Sequence, residues 1–116
     1  MLLKLTPDNL EATYSLLAEC APFNQWPLPD AQDVKFVVFR AKDRAADCSH
    51  DGKQWVIRVN ESWCASLHGL IRHMAHEMCH VVHGEACPND QAMHGKWFKA
   101  LAHAVCKVHG WDEKAF

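Results

Sequence analysis

A chain of 116 residues suits one domain, long enough to bury a hydrophobic core and too short to divide into two. Its formal charge of -2 with histidines neutral provides no broad positive field for phosphates, which excludes strong, autonomous binding to nucleic acid. Residues 1–6 hold one Lys and too short an apolar stretch for a signal peptide, and no later run approaches the roughly 18 apolar residues of a membrane span, so a cytoplasmic protein is expected. A phage protein in its host's cytoplasm is one such setting. Six cysteines without a Cys-x2-Cys pair do not form a disulfide or zinc-ribbon pattern, and most are expected to be reduced, buried, small apolar residues.

The first element is a helix over residues 7–21. Thr6 can cap it, Pro7 suits its first turn, and Leu10, Tyr14, Leu16, Leu17 and Cys20 recur at helical spacing. Pro27 and Pro29 make the following stretch a loop, from which Trp26 and Leu28 can plug the core. Residues 34–39 and 54–59 are rich in β-branched and aromatic side chains, and Asp51-Gly52 suits a tight turn, making residues 46–50 the hairpin partner of the later strand. Three strands cannot close a barrel, so the sheet must bury one face under helices: an α+β fold with a small antiparallel sheet.

The helix predicted over residues 66–83 carries Leu67, Leu70, Ile71, Met74, Met78, Val81 and Val82 on one apolar arc, with Gly84 as its left-handed stop. At about 100° per residue, His73, His76, His80 and His83 fall within about 80° of one another on a different arc, facing away from the core. Glu77 sits at the border of that stripe. A final helix over residues 91–109 begins near His94, buries Trp97, Phe98, Leu101, Val105 and Val108, and stops at Gly110.

His76-Glu77-Met78-Cys79-His80 reads H-E-x-x-H. Two histidines four apart on a helix differ by roughly 40° in azimuth, so both can bind one ion while the glutamate between them reaches the water on that ion. With His94 as a third ligand, three neutral imidazoles hold zinc and leave a fourth position for water, whose pKa falls to about 7 in well-studied sites of this type. Glu77 then acts as general base and returns the proton to the departing amine: amide hydrolysis without a covalent intermediate. Such a match on an amphipathic helix, followed at loop distance by a histidine opening another helix, is rarely accidental.

These residues, with His94-Gly95-Lys96-Trp97-Phe98 downstream, resemble the paired H-E-x-x-H and H-G-x-x-F signatures of the SprT-like (Spartan-related) zinc metallopeptidases. The opening helix, the tryptophan-bearing loop and the hairpin before the metal helix are similar as well, so the resemblance covers nearly the whole chain as one minimal zincin-like domain over residues 1–116. It implies zinc on His76, His80 and His94, a catalytic Glu77, and protein substrates, including proteins bound or crosslinked to DNA. Many relatives append a zinc ribbon, whereas this sequence has no second set of paired cysteines, so any DNA association is expected to be weak or indirect.

The rival reading is a non-catalytic binding or structural protein in which zinc ties two helices together. A structural site is usually closed by a fourth protein ligand, which Cys87, Glu85 or Asp90 could supply. His73 and His83 are expected on the surface, and the five tryptophans in the core and its lid rather than as platforms for bases.

Overall fold

The computed structural model describes residues 4–64 and 66–116; residues 1–3, part of the apolar start, lie outside the described residues. Thr6 caps the first helix, α1 (Pro7–Ala18), by accepting from the Asn9 N–H at 3.1 Å. Leu10, Tyr14 and Leu17 are buried, but Leu16 is exposed, because it falls off their stripe. The helix ends at Ala18 rather than at residue 21. Pro22 disfavours helical backbone at Ala21, and the last turn tightens as Cys20 N–H donates to the Leu17 carbonyl at 3.0 Å. Trp26 and Leu28 do pack on the core from the loop, which the Tyr14 hydroxyl holds by donating to the Pro29 carbonyl at 2.6 Å.

The three strands are β1 (Val34–Phe39), β2 (Ala46–His50) and β3 (Trp55–Asn60). The hairpin joining β2 to β3 forms as expected: Gly52 takes φ +94°, and the Asp51 carboxylate accepts from the Lys53 and Gln54 N–H groups at 2.9 and 2.8 Å. The sheet, however, is mixed rather than wholly antiparallel. Its order is β1-β3-β2, with β2 antiparallel and β1 parallel to the central β3. Asn60 secures this arrangement. Fully buried, it donates through Nδ2 to the carbonyls of Ala41 and Arg44 at 2.6 and 2.8 Å, while its backbone N–H donates to Ala45 at 2.7 Å. The link from β1 to β2 is thereby tied across the end of β3, which leaves the central place free for β3 itself.

The long helix α2 (Leu67–Ala86) packs on α1, on β2 and β3, and on the last helix, α3 (Lys96–His109). Leu70, Met74, Ala75, Met78, Cys79, Val81 and Val82 form its buried face. Leu67, in the first turn, is 60% exposed, against expectation. Nor does Gly84 end the helix. It lies inside the last turn, where a Cβ would come within 2.6 Å of Cζ2 of Trp55; the glycine is a notch for that indole, whose Nε1 donates to Glu85 at 2.7 Å. In α3, Phe98, Ala102, Val105 and Cys106 are buried, whereas Trp97 and Val108 are exposed. Gly110 stops that helix in the left-handed conformation at φ +72°, as its sequence implies. All six cysteines are free. Among the described residues, no helix is long and apolar enough to cross a membrane.

Candidate metal centre

α2 presents His76 and His80 one turn apart, and the loop after it returns to deliver His94 just before Gly95 opens α3. The three imidazoles meet through their Nε2 atoms: His80 to His94 at 3.1 Å and His94 to His76 at 3.3 Å. Tetrahedral zinc with nitrogen at about 2.05 Å requires ligand spacings of about 3.3 Å, so the donor set fits such an ion. The three residues are positioned to bind a metal ion, with ligand atoms all within 4.8 Å of one another.

Phe98 is the floor of this cluster. Its ring stacks on His80 (4.4 Å between centroids), meets His94 edge-on (4.8 Å) and tilts against His76 (5.1 Å). The imidazole stripe is therefore not solvated, as its arc on the helix implies, but half-buried beneath α3. Burial disfavours the imidazolium form: His76 is lowered, and His80 is pushed down to about 3, by desolvation first and then by the neighbouring histidines. Both are thus held neutral, the state in which a ring nitrogen can bind a cation.

Glu77, the residue between them, is only 6% exposed. Desolvation, with a smaller contribution from Asp47, pushes its carboxyl up to about 8. Because this folded-state value lies above the ordinary 4.5, the metal-free fold loses stability as pH rises from about 4.5 through 8. Glu77→Gln removes that dependence. The melting temperature of the metal-free variant should therefore gain on that of the parent between pH 5 and pH 8, along a slope limited to about 1.4 kcal/mol per pH unit. Parallel melting curves would show that Glu77 is not a desolvated carboxyl.

The fourth-ligand candidates stand apart from the three imidazoles. Among the described residues, the group able to share one ion contains neither Cys87, Glu85 nor Asp90. Glu85 accepts from Trp55, and Cys87 caps the end of α2. Asp90 is held by His83 Nε2 at 2.8 Å and accepts the Ala92 N–H at 3.2 Å. His83 is consequently buried, not on the surface, and the pair clasps the loop that carries His94. That role was hidden in the sequence, although the spacing of seven from His83 to Asp90 could have suggested a link from helix end to loop. His73 is half-buried, with its pKa lowered by desolvation and by Arg72. Of the basic residues near β1, Arg40 pairs with Glu61 and Arg44 with Asp43 and Asp47.

A small α+β domain with H-E-x-x-H on its central helix and a third imidazole brought in by the next loop has a zincin-like, metallopeptidase-type architecture. A family model described as the SprT-like family matches residues 14–114, and the chain belongs to that family. No curated protein matches it.

Proposed function

We propose that this protein is a zinc-dependent metallopeptidase that hydrolyses peptide bonds in protein substrates, including proteins bound or crosslinked to DNA. The observation that carries the reading is the convergence of three imidazoles whose ligand atoms all lie within 4.8 Å of one another, two of them on the helix that also carries the buried carboxyl of Glu77. His76, His80 and His94 would hold the ion. A zinc ion there would supply Lewis acidity, making water a nucleophile near neutral pH, polarising the scissile carbonyl and favouring the ionised form of Glu77.

Glu77 takes the proton of the attacking water and delivers it to the departing amine. A carboxyl raised by burial is a stronger proton acceptor once ionised than a surface carboxylate, which suits it to this exchange near neutral pH. Phe98 closes the cluster from beneath, and the clasp between His83 and Asp90 keeps the His94 loop in place. Among the described residues the site has three protein donors rather than a closing fourth, which supports a coordination position left for water and substrate.

The test is cleavage of an unfolded protein such as casein, run with zinc, with a chelator, and with single-stranded DNA added. Metal-dependent cleavage that the chelator removes and zinc restores is expected, and stimulation by DNA would point to DNA-bound substrates. A folded, zinc-loaded protein that cuts nothing in any arm would leave zinc as a tie between α2 and the His94 loop.

A further inference from the structure

Beyond α3 the chain turns back and lies across α2. Gly110 reverses it, Trp111 N–H donates to the Cys106 carbonyl at 3.0 Å, and the Asp112 carboxylate caps the short turn Glu113–Ala115 by accepting the Lys114 N–H at 3.0 Å. Two residues of α2 then receive consecutive carbonyls of this segment. Arg72 donates through a terminal guanidinium nitrogen to the Ala115 oxygen at 2.6 Å, and His76 Nδ1 lies 2.9 Å from the Phe116 oxygen. Arg72 and His76 are four apart, one turn along the same face, so the two consecutive main-chain oxygens that end the Glu113–Ala115 turn reach both. The Phe116 ring packs on the His76 imidazole, 5.3 Å between centroids, and on Trp111 at 6.1 Å.

A main-chain oxygen, whether of a carbonyl or of an ionised carboxylate, can only accept a hydrogen bond. Nδ1 of His76 must therefore carry the proton, and Nε2, the atom facing His94, keeps the lone pair. The other tautomer would set two lone pairs against each other at Nδ1 and leave an N–H pointing into the cluster. We propose that residues 112–116 are a strap that fixes the tautomer and ring orientation of His76 before any cation arrives, with Arg72 as the positioning residue that holds the strap down. This inference rests on His76 being a metal ligand, the reading given above; the tautomer itself does not.

Two measurements keep the two apart. Nitrogen-15 NMR of the metal-free 116-residue chain at about pH 8, where imidazoles are neutral, should show a protonated Nδ1 and an unprotonated Nε2 at His76. Arg72→Met should give a mixture of tautomers there and weaken zinc, measured by competition with a chromophoric chelator, by about 10-fold, the lower end of what losing an outer partner of a ligand costs. Arg72→Lys, which keeps a donor, should recover most of that loss, as a merely destabilising change at this position would not. If Arg72→Met does not fold, a variant lacking residues 112–116 replaces it. A His76 protonated at Nε2 in the parent, or a tautomer and zinc affinity unchanged within about two-fold in the variant, would overturn the strap. A parent with the expected tautomer that binds no zinc would leave the strap standing and remove the metal-site reading instead.

Discussion

Glu77→Gln is expected to lower peptide hydrolysis by roughly 10²–10⁴-fold, the usual contribution of a positioned general base, while zinc binding stays as it was. The amide is nearly isosteric with the carboxyl, so the packing that buries Glu77 within α2 is preserved. What is lost is the capacity to accept a proton. The three imidazoles are untouched, and equal zinc content in parent and variant would confirm that. Titrating both proteins with zinc and following casein cleavage separates the two properties. Cleavage undiminished by the substitution would remove Glu77 from the chemistry altogether.

His94→Ala is expected to weaken zinc by more than about 100-fold, above the roughly 10–100-fold range found for partners one shell further out. Among the described residues, His94 is the one donor of the group contributed from outside α2, and its Nε2 lies 3.1 and 3.3 Å from those of His80 and His76. Two imidazoles from a single helix turn cannot enclose an ion without it. The fold itself should survive, because His83 and Asp90 hold the loop independently of His94, and its side chain is exposed. Metal content and metal-free melting temperature therefore answer different questions: the first should collapse and the second should barely move. A variant that retains its zinc would pass the third-ligand role to another side chain.

Most of the architecture was legible in the residues. The strands at 34–39 and 46–50 stand where β-branched runs and the Asp51-Gly52 turn put them, and α2 follows its apolar spacing. Strand order was not legible, since the placing of β3 between the other two is set by long-range pairing and by contacts such as those of Asn60 to the β1–β2 link, which leave no local pattern. Gly84 misled because glycine serves equally as a helix stop and as a place where another side chain must come close; only the position of Trp55 decides between them. Trp97 and Val108 misled because they lie about 80–100° round α3 from Phe98, outside the buried stripe that runs through Phe98, Ala102 and Val105. The three clustered imidazoles were visible from spacing alone. Their surroundings were not: the Phe98 floor, the buried His83 and the returning carbonyl of Phe116 all arise from segments far apart in sequence.

The Phe98 ring touches all three imidazoles at once. α3 cannot loosen from its neighbour without disturbing every donor together, and the donors cannot be drawn inward without pulling that helix home. Occupancy of the centre and cohesion of the C-terminal half are two faces of one equilibrium, so a metal ion held by the three imidazoles would stiffen α3 and its return segment as well.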